Sequence, residues 1–174
     1  MRFVVTGEWT RNRLLKVIVS CFLVYTLILW VTNAGLYFAK MSLAPSSVID
    51  YYLGNEDKFM QPRSVQGLLE VLHFHTFAMG MLLMTLTHLV LFVPISMRTK
   101  ACGIAIAFFS GIGDELSGWA VRFIHPVFAY AKIGCFLLLE GAILWLVVMV
   151  AFALLTSAPS AYTQTGGAPV RPVT

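Results

Sequence analysis

Nine ionisable side chains lie inside stretches built otherwise from Leu, Val, Ile, Phe, Met, Ala and Gly, and they are the residues best suited to chemistry. LLEVLHFHTFAMGMLLMTLTHLVLF carries Glu70, His73, His75 and His88. GIAIAFFSGIGDELSGWAVRFIHP carries Asp114, Glu115, Arg122 and His125, and a later apolar run carries Glu140. In hydrocarbon such a group costs several kcal/mol, so each calls for a partner or a task. Neutral imidazoles can ligate haem iron or another metal, and carboxylates can relay protons or hydrogen-bond a quinone ring.

Spacing narrows these options. At roughly 100° per residue, His73 and His75 point about 200° apart on a helix, so they cannot chelate one ion together. His73 and His88 share a face but stand roughly 22 Å apart along the axis, one near each membrane surface. On the next run, Ala107, Gly111, Glu115, Gly118, Arg122 and His125 fall within roughly 40° of one line, with Asp114 beside it. Small residues admit a backbone or a flat cofactor and ionisable residues avoid lipid, so this face is expected to look into the bundle. At least one of Asp114 and Glu115 requires neutralisation by a proton, by Arg122 or Lys132, or by a metal, and with Glu140 they suit a proton relay or a polar quinone pocket. Alternatively they mark a kink between glycines or an intersubunit salt bridge.

The elements that must position these groups are membrane spans. A hydrocarbon core about 30 Å thick takes roughly 20 helical residues, and four runs qualify: 14–38, 68–95, 103–124 and 133–155. The expected fold is all-α, an integral membrane four-helix bundle forming a single transmembrane domain over 1–155. A short interfacial helix is expected in the first outer loop, where Pro45-Ser46-Ser47 precedes Val48, Ile49, Tyr51, Tyr52 and Leu53. Residues 156–174, rich in Ser, Thr, Pro, Gly and Ala, read as a flexible tail. Arg2, Arg11, Arg13 and Lys16 precede the first run, and Arg98 and Lys100 sit between the second and third. This places both termini in the cytoplasm, with a bacterial-type inner membrane as the expected location.

The second run descends and the third ascends, so His73, or else His75, is expected to meet His125 near the outer surface, with Gly80 and Gly118 giving a flat group room. In size and histidine placement the chain resembles the small four-helix membrane b-type cytochromes. That resemblance implies one haem b held by His73 and His125 between the second and third helices, in an electron-transfer subunit exchanging electrons with quinone or a partner protein. His88 has no histidine opposite it, so a second bis-histidine haem is not expected. Two alternatives remain open: a non-catalytic accessory or assembly subunit of a larger membrane complex, and a non-haem metal subunit. In the latter, His73 or His75 and His125 would act with Glu70 or Glu140, because Glu115 lies about 15 Å from His125 along one helix.

Composition excludes much else. Of 174 residues, 59% are hydrophobic and 11% charged, with a mean hydropathy of +0.82, which disfavours a water-soluble domain. Twelve Lys and Arg against eight Asp and Glu give +4, but the basic residues flank apolar runs, so lipid rather than nucleic acid is the expected contact. Cys21, Cys102 and Cys135 have no metal or redox spacing and read as buried, inert thiols. No phosphate loop, nucleophile elbow or zinc-protease helix occurs.

Overall fold

The computed structural model of the chain describes residues 12–156. Four long helices carry the apolar runs: α1 (Arg13–Lys40), α3 (Val65–Val90), α4 (Met97–Phe123) and α5 (Phe128–Thr156). Each is long and apolar enough to cross a bilayer. A short helix, α2 (Pro45–Leu53), and a single 3-10 turn, Glu56–Lys58, fill the connection between α1 and α3. The architecture is therefore the expected all-α membrane bundle with a short helix in the first long loop, and no strand is present among the described residues. The basic residues Arg2 and Arg11 and nearly all of the C-terminal tail lie outside the described region.

The helices begin and end where caps and proline dictate rather than where hydropathy changes. Asn12 accepts from the Leu14 N–H at 2.9 Å, Ser64 from Gly67 at 3.1 Å and Ser96 from Thr99 at 3.2 Å, each satisfying an orphan first-turn donor. α3 consequently starts three residues before its apolar run, at Val65, and α4 starts six residues before its own, at Met97. α3 stops at Val90 although the sequence stays apolar to Ile95, because the chain turns before Pro94, which has no N–H for a helix. After α4, the His125 ring Nδ1 accepts the Val127 N–H at 3.1 Å, and Pro126 bars continuation of the helix.

α5 is the centre of the bundle. It packs along α4 and also against α1, α2 and α3, and it holds the longest series of buried residues, from Ala129 to Ala153. Gly103 lets α4 approach closely, since a Cβ there would collide with the ring of Trp145 on α5. α1 leans chiefly on α5 and exposes Leu14, Val17, Ile18, Val24 and Ile28, the surface a membrane helix gives to lipid.

Two apolar clusters divide the bundle along its length. The larger one lies toward the end where α1 begins and α5 finishes, and includes Leu83, Leu86, Val90, Ala107, Leu146 and Val150. The smaller lies toward α2 and joins Tyr37, Val48, Tyr52, Val121, Ala129 and Phe136, with the Tyr37 and Phe136 rings stacked 3.7 Å apart. α2 is thus more than an interfacial float. Val48 and Tyr52 are driven into the bundle, and Gly118 makes room, since a Cβ there would lie 2.5 Å from the Tyr52 hydroxyl.

Candidate functional site

Between the two clusters runs a layer of polar side chains that joins all four spans. Asn33 of α1 donates through Nδ2 to Oε1 of Glu140 on α5 at 2.6 Å, and the Trp30 indole N–H donates to the Glu140 carbonyl oxygen at 3.0 Å. Lys132 of α5 brings its ammonium within 2.8 Å of Asp114 Oδ1 on α4 and donates to the Asp114 carbonyl oxygen at 3.1 Å. His75 of α3 meets Glu115 of α4, Nδ1 to Oε1, at 2.6 Å. The three bridges form a chain of contacts from α1 through α5 and α4 to α3.

Burial makes these contacts matter. Lys132 and Glu140 are each only 7% exposed. An ammonium removed from water loses several kcal/mol of solvation, and the Asp114 carboxylate with its own carbonyl oxygen replaces part of that. Two buried carboxylate oxygens have no hydrogen-bond partner among the described residues: Glu140 Oε2, and Asp114 Oδ1, which keeps only its ion pair with Lys132. Orphaned polar atoms of this kind are uncommon in folded proteins, and each calls for an explanation such as strain, a bound water or ion, or a chemical role.

The polar layer is hollow on both sides. Toward the large apolar cluster lies a cavity of about 340 Å³ whose walls combine Met79, Leu83, Phe108 and Leu139 with Asn33, His75, Asp114 and Glu115. It is open to the side, because Thr76 of α3 and Ile112 and Leu116 of α4 are lining residues that also face out of the bundle. Toward α2 lies a smaller, more polar vestibule of about 130 Å³, lined by Lys40, Tyr51, Tyr52 and Lys132 and by the same four residues, Asn33, His75, Asp114 and Glu115. Burial pushes the Tyr52 phenol up to about 12, although Lys132 opposes that shift, so Tyr52 stands in the vestibule as a neutral hydroxyl.

A stapled loop ties α2 to the outer end of α4 beside the vestibule without entering its walls. The Arg63 N–H donates to the Tyr52 carbonyl oxygen at 3.1 Å, its guanidinium lies 4.0 Å from the centre of the Tyr51 ring, and Arg122 Nε donates to the Arg63 carbonyl oxygen at 3.1 Å. Asp50 binds Lys58 at 2.6 Å and Asn55 at 2.9 Å, and those two hydrogen bonds hold its carboxyl below the usual range. Gly54, at φ 82°, supplies the left-handed turn between them.

The residues singled out in the sequence are distributed unevenly over this site. His75, Asp114 and Glu115 are brought together, and Glu140 joins them through Asn33. Arg122 is engaged by the loop backbone, not by Asp114 or Glu115. Gly118 accommodates Tyr52, while Gly80 lines the larger cavity. His73 is exposed in a shallow surface depression with Thr76, Phe77 and Met81. His125 is exposed beyond the end of α4, with Nδ1 occupied by the Val127 N–H. His88 stands two residues from the far end of α3 and Glu70 accepts from Gln66 at 3.0 Å.

His73 and His125 both stand exposed, one on α3 and one beyond the end of α4. With α3 starting at Val65, His73 lies about 12 Å along the helix, level with Glu115 and not with His125 past the end of α4. His75, not His73, turns toward α4. Among the described residues no group of three His, Cys, Asp or Glu side chains is placed to hold a metal ion.

Asn33 was invisible to a search for titratable groups, yet an amide in the run LLKVIVSCFLVYTLILWVTNAGLYF is itself an anomaly. Its neighbour Thr32 satisfies its hydroxyl on its own helix, at the Ile28 carbonyl oxygen, 2.9 Å away. Asn33 cannot do so with a whole amide, and it bonds across to α5.

Four apolar spans around a polar layer define an integral, polytopic helical membrane protein. Residues 42–161 match the model of a transmembrane helical domain family, Aq_1264_TM, and the chain belongs to that family. The match takes in α2, α3, α4 and α5, and α1 precedes it. No curated protein and no solved structure matches the chain.

Proposed function

We propose that the protein is a membrane subunit of an electron-transfer complex and that it binds a quinone in the cavity beside His75 and Glu115. The observation that carries this reading is the 2.6 Å His75–Glu115 contact in the wall of an apolar cavity open to the side between α3 and α4. A quinone is apolar enough to arrive from the bilayer and needs polar groups only at its two carbonyl oxygens. His75 Nε2 is a donor when Nδ1 is the acceptor or when the ring is charged, so it could hold one carbonyl; Thr76 and Asn33 line the same cavity.

The chemistry is the reduction of quinone by two electrons and two protons to quinol, or its reverse. A redox-active partner subunit supplies or takes the electrons. The His75–Glu115 pair supplies or takes protons at the ring oxygen, because an imidazole beside a carboxylate shuttles a proton without leaving an unpaired charge in hydrocarbon. The charge pattern supports an orientation. Arg13, Lys16, Arg98 and Lys100 all gather at the end where α1 begins and α3 gives way to α4, which favours that end as cytoplasmic in a bacterial-type inner membrane, with α2 on the outer face.

The test is titration of the detergent-solubilised full chain with a short-tailed quinone, followed through tryptophan fluorescence. Saturable binding at one quinone per chain is expected. Glu115→Gln and His75→Phe should weaken it at least ten-fold, whereas His73→Ala and His125→Ala should leave it within about two-fold. Absence of saturable binding, or indifference to both His75 and Glu115, overturns the reading. A reduced-minus-oxidised spectrum on the same sample addresses the haem alternative: a b-type signal that disappears in both His73→Ala and His125→Ala would replace the quinone site with a haem site.

A second reading has its own observation. Asn33–Glu140, Lys132–Asp114 and His75–Glu115 each bridge a different pair of helices, as assembly contacts would. On that reading the protein is an accessory subunit and its polar layer sets helix register. Quinone binding lost with an intact bundle favours the first, and a bundle that falls apart without any quinone binding favours the second.

A further inference from the structure

We infer that the His75–Glu115 pair exchanges protons with one side of the membrane only, the side that bears α2, through the vestibule between Tyr52 and Lys132. The use of those protons rests on the quinone reading above, but the access itself does not.

Continuity on one side is the first part of the argument. Asn33, His75, Asp114 and Glu115 belong to the walls of both hollows, so the polar layer is the single partition between the vestibule and the lipid-open cavity. The vestibule reaches Lys40 of α1, an exposed residue at the α2 end of the bundle. From there inward, every element contributes a group able to hold or order a proton or a water: Lys40 on α1, Tyr52 on α2, Lys132 on α5, Asp114 and Glu115 on α4, and His75 on α3. Lys132 is 2.8 Å from Asp114, Asp114 is adjacent in sequence to Glu115, and Glu115 is 2.6 Å from His75. Glu140 stands behind this line, linked to it by Asn33.

Closure on the other side is the second part. Below the cavity the bundle is plugged by Leu83, Leu86, Val90, Ala107, Leu146 and Val150, none more than 2% exposed. At that level Thr87 donates to the Leu83 carbonyl oxygen at 2.6 Å, Ser110 to the Ala107 carbonyl oxygen at 3.3 Å and Thr26 to the Phe22 carbonyl oxygen at 2.9 Å, while the half-buried His88 lies against the Phe92 ring outside the enclosed set. All seven acidic residues of the described region lie in the polar layer or on its α2 side, and none lies within the plug. A proton crossing the plug would have to pass apolar side chains packed without a polar partner, which is prohibitive next to a path with a group at each step.

The test uses the four native histidines as reporters in the full-length chain. Protein labelled with nitrogen-15 histidine is reconstituted in one orientation in sealed vesicles, and orientation is fixed by trypsin cleavage at the exposed Lys58. Imidazole nitrogen signals are assigned by single His→Gln variants and followed by solid-state NMR after a pH step on one side, with no quinone present. His125, at the α2 surface, marks that compartment. The His75 signal is expected to move with a step on the α2 side and to stay unchanged during a step on the opposite side. Val71→Trp, which adds bulk to the vestibule wall from an exposed position, should slow the His75 response several-fold without altering that of His125. A His75 response to the opposite side, to both sides or to neither overturns the inference, as does a response rate that Val71→Trp leaves unchanged. Because no quinone takes part, failure here leaves the binding titration standing, and failure of that titration leaves this result standing.

Discussion

The two halves of the bundle are built on opposite principles. The half remote from α2 is dry, with Leu86, Leu146, Val90 and Val150 fully enclosed and its hydroxyls returned to their own backbones. The half toward α2 holds a buried lysine, three carboxylates, a histidine and an amide, with two cavities between them. Both halves join the same helices, so the dry half demonstrates that α3, α4 and α5 can be packed without any ion pair. Helix association in lipid relies on close packing, and the dry half has it. Charges that packing does not need, placed where each costs several kcal/mol, mark the half toward α2 as the place to look for a task.

The sharpest way to break this comparison is to orphan one charge. Lys132→Met leaves the Asp114 carboxylate without its cation and should destabilise the bundle by about 3–5 kcal/mol in a detergent unfolding titration, while Lys132→Met combined with Asp114→Leu should recover most of that loss. If the double variant is no better than the single one, Lys132 is holding the fold by its packing and the contrast between the halves weakens. In the dry half, Leu86→Ala or Leu146→Ala should cost about 2–4 kcal/mol through the cavity left behind, with quinone binding unchanged. Coupled losses of stability and binding would show the halves to be one unit.

Smaller effects refine the boundary. Gly118→Val forces a methyl group into the Tyr52 hydroxyl and should cost about 1–3 kcal/mol, visible as faster proteolysis at Lys58 when α2 is levered off the bundle. Glu115→Gln keeps the shape and an acceptor for His75, so its effect on stability should stay near 1 kcal/mol even where quinone affinity falls ten-fold. The smallest change belongs to the loop. Because the folded Asp50 carboxyl is depressed by Lys58 and Asn55, its contribution is present above the ordinary carboxylate range and is lost as pH falls through the lower folded value. Proteolysis at Lys58 should therefore accelerate as the pH drops below about 4, and Asp50→Asn should remove that dependence.

The fold was largely legible because lipid imposes a length on apolar segments that few other structures share. Four runs, the short helix from Pro45 and the polar face of α4 were all readable from residue types. The ends were not, since hydropathy runs on from Val90 to Ile95 while Pro94 and the Ser96 cap decide where the backbone turns. The site was legible in part. Asp114 and Glu115 announced themselves as carboxylates in an apolar run, and Lys132 was among the partners their charge demanded. Asn33 escaped because an amide does not titrate, and which of His73 and His75 faces the bundle stayed open until the contact of His75 with Glu115 decided it.

That last difference shows where one-dimensional information stops. Residue types alone specify how many helices span the membrane, that a short helix precedes the second of them, and that ionisable groups are concentrated in the second and third. They do not specify how each helix is rotated about its axis. In water, the hydrophobic stripe of a helix tells which side faces the core; in lipid both the buried and the exposed sides are apolar, as Phe74 and Leu72 flanking His73 illustrate. Rotation is settled by close packing, by Gly103 under Trp145 and Gly118 under Tyr52, and by the bridges from Asn33 to Glu140, Lys132 to Asp114 and His75 to Glu115. Those contacts join residues far apart in the chain, so they come into being only when the four helices are assembled.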